Sequence, residues 1–136
     1  MNAAAGSPKP IVLVVDDESL IRWSLRERLR AAGYTVLEAE TGLEAVAVFA
    51  GSPVDLMLLD LSLPELDGLG VLELVKRSHP ACPVIIMTAY DSPGAAKRAT
   101  SLGAAHFITK PFDFDRMISL VGSTLTPAGA APPSPV

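Results

Sequence analysis

Five short apolar runs, each separated from the next by a stretch of helical period, constrain this chain more than any other feature. Ile11, Val12, Leu13, Val14 and Val15 form a largely β-branched run that stops at two acids, as a strand buried on both faces of a parallel sheet would. Runs at 54–59 and 83–87 repeat the pattern and lead into Asp60 and Thr88. Residues 107–109 lead into Lys110, and 35–39 read as a weaker strand. Between the runs the period changes: Ile21, Leu25 and Leu29 recur every four residues, and Gly33 follows as a helix terminator. The same reading places helices at 43–50 before Gly51, 69–77 before Pro80, and 114–125. Ser92 and Pro93 have the form of a helix cap with proline in the first turn, and Gly103 ends the helix they open.

Strands alternating with helices five times imply right-handed crossovers and a parallel sheet covered on both faces. The expected fold is a doubly wound, three-layer α/β domain with a five-stranded parallel sheet. A length of 136 residues suits one such domain. It is placed at 11–125, between a flexible arm at 1–10 and a flexible tail or linker start at 126–136, where Pro, Ala, Gly and Ser show no periodicity.

With 49% hydrophobic and 19% charged residues the chain is not disordered, and with only 5% aromatic residues its core must be aliphatic. Met57, Met87 and Met117 fall on apolar faces and serve to fill gaps there. The single cysteine, Cys82, has no internal disulfide partner and reads as a buried thiol, so a reducing, cytoplasmic location is expected. No apolar run approaches the roughly 18 residues of a membrane span, and a membrane is not an expected partner. Nor is nucleic acid, because a net charge of −4 gains little from counterion release. Arg22, Arg26, Arg28 and Arg30 are close in sequence but spread over different faces of one helix, and read as solvated surface.

Ligands on open parallel sheets bind beyond the carboxyl ends of the strands, near the reversal of strand order. The polar residues expected there are Asp16, Asp17, Asp60, Thr88 and Lys110. Each has an ordinary reading when taken alone: Asp16 and Asp17 as helix caps, Thr88 as a strand-end hydroxyl bonded to backbone, Lys110 as a surface lysine. Together they have the composition of a site. Gathered carboxylates repel one another and need a proton or a hard cation. Mg²⁺ suits an oxygen-only set, since it keeps several waters and needs one or two carboxylates plus phosphate oxygens. No Cys or His cluster offers a zinc site. With Mg²⁺ and a lysine to absorb charge, Asp60 is placed to attack a phosphoryl group and Thr88 to hydrogen-bond one of its oxygens.

Four motifs carry a resemblance: Asp16-Asp17-Glu18, Asp60-Leu61-Ser62-Leu63-Pro64-Glu65-Leu66-Asp67-Gly68, Thr88-Ala89 and Lys110-Pro111-Phe112. In this order they resemble the receiver domains of response regulators in bacterial two-component systems, over nearly all of 11–125. The stretch from Asp17 to Leu25 is similar to receivers of enhancer-binding transcription activators. The resemblance implies a flavodoxin-like fold, Asp60 as phosphoacceptor, Asp17 as a Mg²⁺ ligand, Asp16 holding the ion largely through water, and the main-chain carbonyl of Ser62 as a further ligand. It implies that Thr88 binds the phosphoryl group and moves with it, and that Phe107 is a rotating switch aromatic. Lys110 would pair with the acceptor carboxylate or its phosphoryl oxygen, beside a cis Lys110–Pro111 peptide. The implied partners are a sensor histidine kinase or phosphotransfer protein, and a second receiver or an effector domain. Such a domain is a signalling element rather than an enzyme, catalysing only its own phosphorylation and dephosphorylation.

Two other readings stay open on sequence. One is a phosphorylation-independent interaction module of the same fold. The other is a phosphatase of the haloacid-dehalogenase type, although that family usually places a second aspartate where this chain has Ser62. Trp23 lies off the apolar stripe of its helix and is expected to be exposed, as a kinase-docking candidate or packed over arginine stems. Tyr90 and Ser62 lie two residues beyond Thr88 and Asp60, where they would border the path of a hydrolytic water. The helix at 93–102 offers little bulk besides Leu102 and is expected to be the softest element, and Phe107 also fits a fixed core position. His79 and His106 lack partners at ligand spacing and receive no role.

Overall fold

The alternation of runs and helices produces the expected order of elements. The structure is a computed structural model that describes residues 9–63, 66–89 and 93–125. The expectations for Tyr90, the Ser92 cap, residues 1–8 of the arm and the tail lie outside these residues, as does Pro64 of the second motif. The strands are β1 (Ile11–Val15), β2 (Thr35–Ala39), β3 (Leu56–Asp60), β4 (Val84–Thr88) and β5 (His106–Thr109). The helices are α1 (Ser19–Ala31), α2 (Gly42–Gly51), α3 (Gly68–Ser78), α4 (Pro93–Ser101) and α5 (Phe114–Leu125).

All strand pairs are parallel, in the order β2-β1-β3-β4-β5. Every side chain of β3 and β4 is buried, which is why these strands read as continuous apolar runs rather than alternating ones. Successive side chains go to opposite layers. Val12, Val14, Leu56, Leu58, Ile85 and Met87 pack with Leu25 and Leu29 of α1 and Met117 and Val121 of α5. Leu13, Val15, Met57, Leu59, Val84 and Ile86 pack with α2, α3 and Ala99 of α4. Each fully buried aliphatic side chain contributes about 1.5–3 kcal/mol, so the two layers together dominate stability. Ala99 is the one buried residue of α4.

Element ends differ from the sequence reading by one or two residues. The third run starts at Leu56 instead of Val54, because Asp55 closes the lower end of the sheet: its N–H donates to the Ile11 carbonyl (2.8 Å) and its carboxylate accepts the Ile11 N–H (2.7 Å). At the other end the ladder carries Asp60 into β3, opposite Met87. Gly33 and Gly103 close α1 and α4 with φ of 101° and 103°.

Two other glycines fix the segment after β3 by close approach. A Cβ on Gly68 would run into the Leu61 backbone, and one on Gly42 into the Leu66 carbonyl. Gly68→Ala should therefore cost about 1–3 kcal/mol in urea denaturation, because backbone has to move. Gly51→Ala, with open space around it at the end of α2, should be neutral or stabilising by up to about 1 kcal/mol. Equal losses for the two would contradict the close approach.

Cys82 is buried, and its thiol faces the carbonyls of Val54 and Pro83 at 3.7 and 3.8 Å. Burial pushes its pKa from 9.0 up to about 11. The neutral thiol thus favours the folded state below pH 9.0, and that contribution is lost as pH rises through about 11. Iodoacetamide should label native protein at pH 8 at least about 100-fold more slowly than urea-unfolded protein. Comparable rates would mean the thiol is accessible.

Candidate functional site

Parallel register brings the strand ends level: Asp60 stands opposite Met87, and Thr88 opposite Thr109. Asp16 follows β1 with its N–H donated to the Ala39 carbonyl (3.1 Å), and Lys110 follows β5 with its N–H donated to the Thr88 carbonyl (2.8 Å). The Lys110–Pro111 peptide is cis, as expected. Because the chain leaves β1 for β2 on one side and crosses to β3 on the other, these residues flank the reversal of strand order.

Asp16, Asp60 and Thr88 are the buried polar residues of the described chain. The Lys110 ammonium donates to Asp16 Oδ2 at 2.7 Å, Glu18 Oε1 at 2.9 Å and Asp60 Oδ2 at 3.1 Å. The remaining oxygens are held by local backbone: Asp16 Oδ1 accepts the Glu18 N–H and Asp60 Oδ1 the Ser62 N–H, each at 2.9 Å. Asp17 is exposed at the rim, yet a carboxylate oxygen from each of Asp16, Asp17 and Asp60 lies within 4.8 Å of the others.

Burial raises the Asp16 pKa above its ordinary 3.8, against the lowering effect of its bonds to Lys110 and the Glu18 N–H. For Lys110, burial works to lower the pKa, but the bonds to Asp16, Glu18 and Asp60 outweigh it and hold the ammonium charged. Four carboxylates thus face one ammonium. That excess of negative charge, presented by oxygen ligands of which Asp17 and Glu18 are exposed, fits a hard divalent cation.

The sequence reading named the five residues that meet here but missed two contributors. Glu18 was read only as part of a motif, although it supplies the third acceptor for Lys110. Arg22 was read as solvated surface, but its side chain is only 12% exposed. It donates to the Asp16 carbonyl at 2.7 Å and to Glu38 at 3.3 Å, tying the acidic turn to β2. Acid-to-arginine spacing along α1 carried no hint of it, because its partners lie on other elements.

Trp23 is 53% exposed, as expected, and Leu20 beside it on α1 is 72% exposed. Phe107 is half-buried at the margin of the layer formed by α2, α3 and α4, and borders an open cleft of about 760 Å³ between β5 and α5 that contains none of the site carboxylates. His79 meets Phe49 edge-on at 4.6 Å and His106 begins β5, both at the end of the sheet away from the site.

The sequence profile of the response regulator receiver domain matches residues 12–122. The chain is 45% identical over 111 residues to the DNA-binding transcriptional regulator NtrC of Salmonella typhimurium, covering 82% of this chain and 24% of that protein. It is 40% identical over 106 residues to the transcriptional regulatory protein ZraR of the same organism, covering 78% of this chain and 24% of that one. The chain therefore spans about a quarter of the length of these curated relatives. Among solved structures, a CheY-like receiver domain from Methanospirillum hungatei superposes with a TM-score of 0.85 at 28% identity, covering 87% of this chain and 94% of that one.

Because Asp16 has a raised pKa, its contribution to stability is full below 3.8 and declines as pH rises through the folded value. An asparagine suffers no such decline. In EDTA, the stability of Asp16→Asn relative to the natural chain should therefore increase as pH rises above about 4. Parallel urea-denaturation curves across pH would measure this, and a constant or shrinking difference would contradict the assignment.

Proposed function

The chain belongs to the response-regulator receiver domains, and from this premise we propose that it is a phosphoacceptor switch in which Asp60 takes a phosphoryl group with the help of Mg²⁺. The observation that carries the reading is the Lys110 ammonium shared by Asp16 and Asp60 beside a carboxylate triad that could hold a metal ion. Asp16, Asp17, Asp60 and the Ser62 carbonyl would hold Mg²⁺. The ion, when bound, neutralises charge on the transferring phosphoryl oxygens.

The donor would be the phosphohistidine of a sensor kinase or phosphotransfer protein. A carboxylate oxygen of Asp60 forms the new P–O bond as the P–N bond breaks, and the departing electron pair stays on the imidazole nitrogen, which then takes a proton. Lys110 stabilises the phosphoryl oxygens, and Thr88, buried at the end of β4, hydrogen-bonds one of them. The domain catalyses only this transfer and the later hydrolysis, whose water path Ser62 and Tyr90 would border. Trp23 and Leu20, exposed at the start of α1, would form part of the kinase-docking surface.

Output would follow from Thr88 moving toward the phosphoryl group and Phe107 taking the space it leaves. This would alter the face formed by α4, β5 and α5, toward either a second receiver or an effector domain. Relatives whose names describe DNA-binding or transcriptional regulators extend well beyond the receiver, and an effector joined to this domain, rather than the domain itself, would contact nucleic acid. The intact acidic set with its lysine disfavours a phosphorylation-independent module, and Ser62 two residues after Asp60 disfavours the phosphatase reading.

With acetyl phosphate and Mg²⁺ the natural chain should gain one phosphoryl group by mass, and Asp60→Asn should gain none. Beryllofluoride with Mg²⁺ should shift NMR signals around Asp60 and at Phe107, and Thr88→Ala should retain the first set while losing the second. Labelling of Asp60→Asn at the natural rate would overturn the reading.

A further inference from the structure

An ammonium has three N–H donors, and carboxylates occupy all three on Lys110: Asp16, Glu18 and Asp60. A phosphoryl oxygen on Asp60 can bond this ammonium only if one of them lets go. Asp16 is fully buried and bonded through both oxygens, so releasing it would strand a desolvated charge. Asp60 handing its own donor to the phosphoryl oxygen it acquires is the rival outcome, in which Glu18 would stay bonded. Glu18 differs from both, because its side chain is 60% exposed and water can replace what it loses.

The helix that Glu18 begins gives an independent sign. Glu18 is the N-cap of α1, yet its side chain makes no capping bond. Thr41 and Asp67 at the corresponding positions cap α2 and α3 with theirs, each to the N–H three residues on. The Glu18 carboxylate instead crosses to a residue 92 positions away.

We propose that Glu18 is a positioning residue that holds the third donor of Lys110 in the resting state and is displaced by the arriving phosphoryl oxygen. The proposal rests on the phosphoacceptor reading above. In the resting domain Glu18 keeps the ammonium aimed into the site, and on phosphorylation its carboxylate moves into water while Asp16 continues to anchor Lys110.

The test compares the natural chain with Glu18→Ala and Glu18→Asp, all saturated with Mg²⁺, in titrations with beryllofluoride followed by NMR of the Lys110 side chain. Glu18→Asp keeps the charge but is too short to hold the ammonium. Both variants should bind beryllofluoride roughly fivefold more tightly, the scale of a partly exposed ion pair. The Lys110 signals of the three proteins should differ at rest and coincide once beryllofluoride is bound. Tighter binding by Glu18→Ala alone would reduce Glu18 to a repelling charge. Lys110 signals that still differ in the bound state would mean that Glu18 never leaves, and unchanged affinity in both variants would mean that it holds nothing back. Failure of the natural chain to bind beryllofluoride would instead overturn the phosphoacceptor reading itself, and this proposal with it.

Discussion

The ammonium of Lys110 lies between two carboxylates, Asp16 and Asp60, that are almost wholly withdrawn from water. Either acid without that partner would cost several kcal/mol to keep charged at its depth. The arrangement is therefore workable only if three strand ends are held at fixed separation, since a shift of an ångström or two would break one bond or crowd another. Much of the fold can be understood as what holds them there.

Two fully buried central strands supply the rigid part, with packed layers on both faces of the sheet. The connections supply the rest. The segment after Asp60 is fixed by the Ser62 N–H on the carboxylate and by the approach of Gly68 to Leu61. The turn after β1 is fixed by the Glu18 N–H on Asp16 and by Arg22 on the Asp16 carbonyl. Arg22 and Arg26 both reach Glu38, so the acidic turn is braced against the edge strand β2 as well as against its own helix.

What the sequence made legible follows from how local each signal is. A strand buried on both faces needs a continuous apolar run, so β1, β3 and β4 could be found from composition over five residues, and the acids and threonine ending them stood out by contrast. Glu18 and Arg22 could not be ranked in that way. Their roles depend on side-chain reach to Lys110 and Glu38, residues distant in sequence, and the period of α1 describes only the face that enters the core. The close approaches at Gly42 and Gly68 were invisible for a related reason: what forbids a side chain there is backbone from another segment. The start of β3 was misplaced because Val54 is as apolar as the run from Leu56 to Leu59, while Asp55 between them decides where the ladder begins.

The return of α5 along the sheet sets its last described turn far from the acidic site. Gly122, near its end, approaches the hydroxyl of Tyr34, just before the start of β2, so the last described turn of α5 lies at the opposite pole from Asp60. A strand of five residues measures about 17 Å, so the described end of α5 at Leu125 stands about that far from the carboxylates. Between the two poles lie the packed side chains of both layers, so a displacement at one is passed to the other as a mechanical relay whose fidelity depends on how stiffly those layers are filled.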